Sequence, residues 1–208
     1  MKNFKDELKV AYDSDAKRRD ESENKREQWK LDLRQYFVGF LKKENKKTVL
    51  ELGSGAGLDS IYFKKNGFDV LATDLSEEMV NMCRKRGLNA KVLDLYEIDK
   101  LERKFDAVFS LNVLLHVPRK DLENVLNSIH KILNNNGIFV YGVYGGMDEE
   151  KTITDKNKMG LPRFFSFLSD NTIKTVASVN FEIIKFETID IKSKIPNFHF
   201  QSFILRKN

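Results

Sequence analysis

Short apolar runs alternate with helical segments between residues 47 and 143, and this alternation constrains the fold more than any other feature. Each run has the length of a buried strand, and helices separate most of them. Strands alternating with helices predict βαβ units and a mainly parallel sheet covered on both faces. The predicted strands are 47–53, 68–74, 90–94, 105–111 and 138–143, and the predicted helices are 58–66, 76–86 and 121–133.

The chain changes character after residue 146. A polar insertion at 147–163 and an aromatic run at 164–167 precede a predicted helix at 170–179. Two further strands are expected at 181–191 and 197–206. The five residues between them leave no room for a crossover helix, so these two strands must be antiparallel. We therefore expect an α/β protein with a doubly wound, seven-stranded sheet, mainly parallel with an antiparallel C-terminal strand.

Residues 1–46 are rich in Lys, Asp, Glu, Arg and Asn. Aromatic and leucine side chains recur there at helical spacing, which predicts a helix near 24–44. We expect a shorter helix near 3–12 and a mobile hinge or loop at 13–23. These residues form an N-terminal helical lid or extension in front of a domain at 47–208, and the two parts together make a single domain.

Composition and charge exclude several classes of protein. No apolar run approaches the ~18 residues of a membrane span, and the charged N-terminus lacks a signal-peptide core. We expect a cytoplasmic protein that does not act at a membrane. The single cysteine, Cys83, excludes an internal disulfide and a CxxC metal motif. The net charge of +5 comes from 36 basic and 31 acidic residues without a basic block, so a nucleic-acid partner is disfavoured but not excluded.

A glycine-rich turn follows the first predicted strand, with glycines at positions 53, 55 and 57. Glycines at a strand-to-helix turn let the backbone approach a ligand, and the next helix offers free N–H groups. A dinucleotide-binding GxGxxG pattern needs a third glycine at position 58 or 60, where Leu58 and Ser60 stand. The turn therefore predicts a ligand cradle that fits a pyrophosphate poorly.

Polar residues end the next three strands. Asp74 closes the second strand, where a carboxylate can accept hydrogen bonds from both hydroxyls of a ribose. Asp94 closes the third strand, near where an adenine could lie, and Ser110, Leu111 and Asn112 close the fourth. Open α/β sheets bind ligands at the carboxyl ends of their strands, so these residues indicate one site.

Together these segments resemble the class I S-adenosylmethionine-dependent methyltransferases, which have a Rossmann-like fold. The resemblance covers about residues 47–144, and the antiparallel tail agrees with the family's seven-stranded sheet. The ends of the chain resemble a bacterial subgroup of small-molecule type. The matching segments are Glu51–Gly57, Val70–Ser76 with Met79, Leu93–Asp94 and Phe105–Pro118.

The resemblance implies S-adenosyl-L-methionine as cofactor. The glycine loop would wrap its methionine half, Asp74 its ribose and Asp94 its adenine amino group. Plainer interpretations remain open: the glycines could only make a turn, Asp94 could cap a loop, and Met79 could fill the core. The implied cofactor-binding residues are Tyr12, Glu51, Gly53, Ser54, Gly55, Gly57, Asp74, Leu75, Met79, Asp94, Leu95, Ser110 and Leu111.

His116 is the leading candidate for a catalytic base, although its apolar neighbours are also typical of a structural turn. Tyr144, Arg163 and Phe165 are the candidate acceptor-binding residues, and Arg163 could pair with an acidic acceptor. The phenylalanines of the 164–167 run could instead seal the core. No carboxylate cluster beyond the motif acids predicts a metal site.

The prediction is methyl transfer to an O or N atom of a small-molecule acceptor, by a monomer or homodimer. Two alternatives stay open: methylation of RNA such as tRNA, and a non-catalytic protein that binds the cofactor or a partner. A nicotinamide dehydrogenase is a third and minor alternative, which Leu58 and Ser60 disfavour.

Overall fold

The computed structural model describes residues 4–22, 27–154 and 160–208 of the chain. In this part of the chain the helices are α1 (Phe4–Ser22), α2 (Gln28–Lys43), α3 (Leu58–Lys65), α4 (Glu77–Lys85), α5 (Arg119–Ile132) and α6 (Asp170–Ser178). The strands are β1 (Thr48–Leu52), β2 (Asp69–Asp74), β3 (Asn89–Val92), β4 (Phe105–Leu111), β5 (Leu133–Gly145), β6 (Glu149–Thr154), β7 (Pro162–Phe167), β8 (Phe181–Ile189) and β9 (His199–Lys207).

Seven strands form one sheet in the order β3-β2-β1-β4-β5-β9-β8. The strands from β3 to β5 pair in parallel, whereas β9 is antiparallel to both β5 and β8. The expected doubly wound, mainly parallel sheet with an antiparallel C-terminal strand is confirmed. The order reverses direction at β1, so the carboxyl ends of β1, β2 and β4 open into a common crevice.

The core lies on both faces of this sheet, because neighbouring strand residues point to opposite sides. Leu50 and Leu52 belong to the cluster that includes the apolar stripe of α5. Val49 faces the other way, into a cluster with Phe37 of α2 and Phe63 of α3. Helix α2, although N-terminal to the sheet, is therefore part of the main core.

The hinge or loop expected at 13–23 is wrong for residues 13–22, which continue helix α1. Leu8, Ala11 and Asp15 are buried at helical spacing, and Arg18 donates to Asp15 at 2.5 and 2.6 Å. A small residue and a paired carboxylate occupy the inward face, so no run of large apolar side chains marks this helix in the sequence. Residue 23, residue 3 at the start of the first expected helix, and residues 24–26 of the second lie outside the described residues.

The segment 147–163 is also more regular than expected. Strands β6 and β7 pair as an antiparallel hairpin, with Glu149 opposite Phe167 and Thr154 opposite Pro162. The aromatic run at 164–167, for which the sequence predicts no element, belongs to β7. Phe164 in this strand contacts Phe4 of α1, with ring centroids 5.6 Å apart, so the hairpin packs against the N-terminal helix.

Candidate active site

A cavity of about 420 Å³ lies at the carboxyl edge of the sheet, beneath helix α1. It brings together eleven of the thirteen predicted cofactor-binding residues and the predicted base, His116. The eleven are Tyr12, Glu51, Gly53, Ser54, Gly55, Asp74, Leu75, Met79, Asp94, Leu95 and Leu111. Residues from five separate segments thus meet at the crevice that the sheet order creates.

The glycine loop is shaped by what surrounds it. Gly53 has φ +67°, and a Cβ there would come within 2.1 Å of a methyl carbon of Val113. Gly55 has φ +53°, and a Cβ there would meet nothing within 4 Å, so its requirement for glycine is the backbone conformation alone. The chain can therefore run along the cavity wall without a side chain between its backbone and a ligand.

Asp74 is fixed by two backbone donors. Its Oδ2 accepts from the Gly55 N–H at 2.9 Å, and its Oδ1 accepts from the Ser76 N–H at 2.9 Å. Ser76 in turn caps α4 by accepting from the Met79 N–H, as its position after the second strand predicts. The carboxylate thus links the glycine loop to the start of α4 and is oriented before any ligand arrives.

Asp94 stands two residues beyond the end of β3, where it accepts from the Tyr96 N–H at 3.0 Å. Lys5 of α1 reaches the same carboxylate, with Nζ 2.6 Å from Oδ2, and lies over the Tyr96 ring at 4.3 Å. Burial, assisted by the hydrogen bond to Asp121, raises the pKa of Tyr96. Helix α1 therefore covers the cavity through a contact with one of the three predicted ligand-binding acids.

Glu51 is buried in β1 and accepts a hydrogen bond from Ser60, the second residue after Leu58 at the start of α3. Asp59, the residue before Ser60, is also buried. Nη1 of Arg34 in α2 lies 3.3 Å from the Asp59 Oδ1. Both carboxylates line the cavity. They place negative charge where the amino end of a ligand could lie.

His116 follows β4 in a short 3-10 turn, Leu114–His116, and is 5% exposed. Its Nδ1 is 2.7 Å from the carbonyl oxygen of Phe164, and its Nε2 is 2.7 Å from the hydroxyl of Tyr12. A carbonyl oxygen can only accept, so Nδ1 carries the proton and, in the neutral ring, Nε2 accepts from Tyr12. The turn interpretation and the base interpretation are thus compatible, because the turn aims the ring at the cavity.

Two predicted cofactor residues do not line the cavity. Gly57 is the N-cap of α3 with φ +87°, and a Cβ there would meet Leu88 and the sulfur of Cys83. Ser110 is buried in β4, and its hydroxyl lacks a hydrogen-bond partner among the described residues. Both residues shape the cavity from behind its wall.

The three predicted acceptor residues also lie outside this cavity, but they are connected to it through aromatic rings. Phe165 contacts the His116 ring at 4.8 Å between centroids, and the Arg163 guanidinium lies over Phe165 at 5.2 Å. Tyr144 is farther along, stacked with Phe198 at 5.8 Å. Burial raises the pKa of Tyr144.

Cys83 is nearer the site than its place in a helix predicts. Its thiol donates to the Gly55 carbonyl oxygen at 3.3 Å, directly behind the glycine loop. Burial raises the pKa of this thiol to about 11, so it is a packing residue and not a nucleophile.

Sequence reasoning missed other residues that line the cavity. Thr73 precedes Asp74, and Tyr96 lies two residues after Asp94. Their closeness in sequence to predicted site residues could have indicated that they line the cavity. Lys5 carries no local signal, since its contact depends on how α1 packs. Asn112, expected at the end of the fourth strand, lines the cavity as well, and the lining residues not predicted are Phe4, Lys5, Leu8, Glu27, Lys30, Ala56, Leu58, Asp59, Thr73, Leu93, Tyr96, Val113 and Val117.

Comparison with known proteins finds relatives that are named as methyltransferases. A family model described as a methyltransferase domain matches residues 22–185. YqeM of Bacillus subtilis, which carries a provisional methyltransferase name, is 25% identical over 156 residues, covering 68% of this chain and 62% of that protein. The chloroplastic magnesium protoporphyrin IX methyltransferase of Arabidopsis thaliana is 36% identical over 85 residues, 38% of this chain and 27% of that protein. The chain thus spans less than two thirds of the length of either relative.

A solved structure agrees over the whole chain. The crystal structure of magnesium protoporphyrin IX methyltransferase from Synechocystis PCC 6803, with bound S-adenosylmethionine, superposes with a TM-score of 0.70 at 15% identity. The match covers 100% of this chain and 99% of that one, which is a likeness of fold. The family model matches most of the chain, and the chain's seven-stranded sheet has the order β3-β2-β1-β4-β5-β9-β8. The chain therefore belongs to the methyltransferase-domain family and has the fold of the class I S-adenosylmethionine-dependent methyltransferases.

Proposed function

We propose that this protein is an S-adenosylmethionine-dependent methyltransferase acting on an O or N atom of a small-molecule acceptor. The observation that carries the proposal is the cavity in which the glycine loop, Asp74, Asp94 and His116 meet. Family membership supports the cofactor class, and relatives named for small-molecule acceptors support the acceptor class.

The residues present fit this cofactor. Asp74 offers a fixed carboxylate for the ribose hydroxyls, and Glu51 and Asp59 place negative charge near the amino end. Asn112 contributes a buried side-chain oxygen with no hydrogen-bond partner among the described residues. Leu75, Met79 and Leu95 supply apolar surface for an adenine, in line with the roles that the sequence predicts.

When bound, the cofactor supplies an activated methyl group, so the protein's task is alignment and exclusion of water. Helix α1 would exclude water, because its residues Phe4, Leu8 and Tyr12 cover the cavity. We propose that this helix acts as the predicted lid. Its neighbour α2 is a core helix, which supports the proposal that the N-terminal part and residues 47–208 belong to a single domain.

The pair Tyr12 and His116 would remove the acceptor's proton. The proton that an O–H or N–H acceptor loses on methylation would pass to the Tyr12 oxygen. The hydroxyl proton of Tyr12 moves at the same time to His116 Nε2, 2.7 Å away. The Phe164 carbonyl holds the other ring nitrogen and thereby stabilises the imidazolium that forms.

Calorimetric titration with S-adenosylmethionine and, separately, with NAD tests the cofactor. We expect saturable binding of the first alone, followed by formation of S-adenosylhomocysteine with members of a panel of small acceptors. Binding of NAD, or of neither compound to folded protein, would contradict the proposal. Turnover on tRNA alone would favour RNA methylation, and cofactor binding without turnover would favour the non-catalytic alternative.

No helix in the described part of the chain is long and apolar enough to span a membrane. The cytoplasmic location and the monomeric or homodimeric state remain predictions from the sequence, as does the disfavoured nucleic-acid partner.

A further inference from the structure

Arg163 in β7 is a buried cation that has no counter-charge within the described part of the chain. It is 9% exposed, and its Nε is fully buried with no hydrogen-bond partner. Among residues 4–22, 27–154 and 160–208, no carboxylate pairs with it, and its contact is the face of the Phe165 ring. A buried charge without a partner is costly, so an unpaired guanidinium at this depth requires an explanation.

Another buried cation of this chain shows the ordinary solution. Lys207 is 8% exposed, and its Nζ donates to the carbonyl oxygens of His130 and Leu133 at 2.8 and 2.9 Å. That lysine closes the end of α5 and is satisfied within the fold. Arg163 has no equivalent set of acceptors among the described residues, so its buried Nε lacks a hydrogen bond that a carboxylate from outside could supply.

The position of Arg163 relates it to the proposed reaction. Residues 163, 165 and 167 share one face of β7, because successive strand residues alternate. The guanidinium lies 5.2 Å from the Phe165 ring centre, and that ring lies 4.8 Å from the His116 ring. Phe167 stacks on Phe165, with ring centroids 5.6 Å apart and 14° between the planes, so the aromatic surface continues along the strand. A cation, an aromatic surface and the proposed base therefore follow one another along this side of the site.

We propose that the methyl acceptor is a flat, largely apolar acid whose carboxylate is bound by Arg163 and whose ring lies beside Phe165. The planar guanidinium fork matches a carboxylate with two parallel hydrogen bonds, which would satisfy the orphan nitrogen and neutralise the charge. This inference rests on the proposed function, since it assumes that the acceptor reaches His116. The inference adds the chemical class of the acceptor to that proposed function.

A matched pair of probes tests it. We would titrate 2-naphthoate and its neutral analogue 2-naphthamide into the protein saturated with S-adenosylhomocysteine. The variants are Arg163→Gln and, as the matched control, Lys151→Gln. Lys151 is also a cation on this hairpin, 5.5 Å from the Phe167 ring centre, but it is more exposed and already paired with Glu149 at 2.6 Å.

The wild type and Lys151→Gln should bind naphthoate about tenfold or more tightly than naphthamide, which corresponds to one hydrogen-bonded charge pair. Arg163→Gln should reduce that preference to within about twofold, and its melting temperature without probes should equal or exceed that of the wild type, because an unpaired buried charge is removed. Equal binding of the two probes, no binding of naphthoate, or an undiminished preference in Arg163→Gln would overturn the inference.

The same titrations separate this inference from the function on which it rests. If the wild type binds S-adenosylhomocysteine but shows no preference for naphthoate, the acceptor class is wrong and the proposed function stands. If folded wild type does not bind S-adenosylhomocysteine, the proposed function fails, and the acceptor inference fails with it.

Discussion

Replacement of Asp74 by alanine should weaken cofactor binding and also loosen the wall of the cavity. The carboxylate holds the Gly55 and Ser76 N–H groups at 2.9 Å each, so it has two structural partners in addition to its proposed ribose partners. The variant therefore removes a ligand contact and a brace between the glycine loop and α4 together.

The two effects are similar in size but are measured separately. A hydrogen bond from a ribose hydroxyl to a carboxylate is worth about 1.5–3 kcal/mol, so losing one or both weakens binding by at least about tenfold. The two backbone N–H groups can turn to water in part, since Asp74 is only half-buried. Their loss should lower the free energy of unfolding by about 1–3 kcal/mol.

Calorimetry with S-adenosylhomocysteine measures the first effect, and urea unfolding measures the second. Asp74→Asn should fall between wild type and Asp74→Ala, because the amide keeps one acceptor oxygen. Asp69→Ala is the matched control: Asp69 begins the same strand at its opposite end and pairs with Arg103 on the surface at 2.8 Å. A folded Asp74→Ala protein with cofactor affinity within about twofold of Asp69→Ala would refute the placement of the ribose.

Three further predictions concern the base, the buried thiol and the core. Tyr12→Phe should lower kcat by about 100-fold or more and shift its pH profile, measured as S-adenosylhomocysteine formation, because Nε2 of His116 loses its relay partner; unchanged kcat would exclude the relay. The folded pKa of Cys83 is raised from 9.0 to about 11, so the unfolded state releases this proton first as pH rises. Wild type should therefore lose up to about 2–3 kcal/mol relative to Cys83→Ala between pH 9 and 11 in denaturant titrations, and parallel pH curves would contradict this. Phe37→Ala should cost about 3–5 kcal/mol of unfolding free energy by chemical denaturation, because the ring is fully buried; a loss below about 1 kcal/mol would show that α2 is not a core helix.

The sheet was predictable because its signals are local. Apolar runs end in Gly53, Asp74 and Asp94, and the carboxyl ends of parallel strands converge whatever the loops do. The same argument predicted most of the cavity-lining residues at these strand ends. Asp74 and the glycine loop could be predicted to meet from their positions alone, although the hydrogen bond between Asp74 and Gly55 could not.

The sequence predicts an N-terminal lid that includes Tyr12, but the other contacts through which α1 covers the cavity were not predictable, because they join residues far apart in the chain. Lys5 and Asp94 are 89 residues apart, and their contact depends on the direction in which α1 crosses the sheet edge. The inward face of α1 carries Ala11 and Asp15, which hydrophobic periodicity does not register. The hairpin of β6 and β7 was hidden similarly, because β6 consists of charged residues followed by Thr-Ile-Thr and resembles a polar loop.

The sheet order has a consequence for how the molecule is made. Strand β9 follows β8 in the chain but lies between β5 and β8 in the sheet. During synthesis β8 therefore emerges with no place to dock, and β5 keeps an open, hydrogen-bonding edge until β9 has been translated. A chain interrupted between these strands would therefore expose the β5 edge to edge-to-edge pairing with its neighbours.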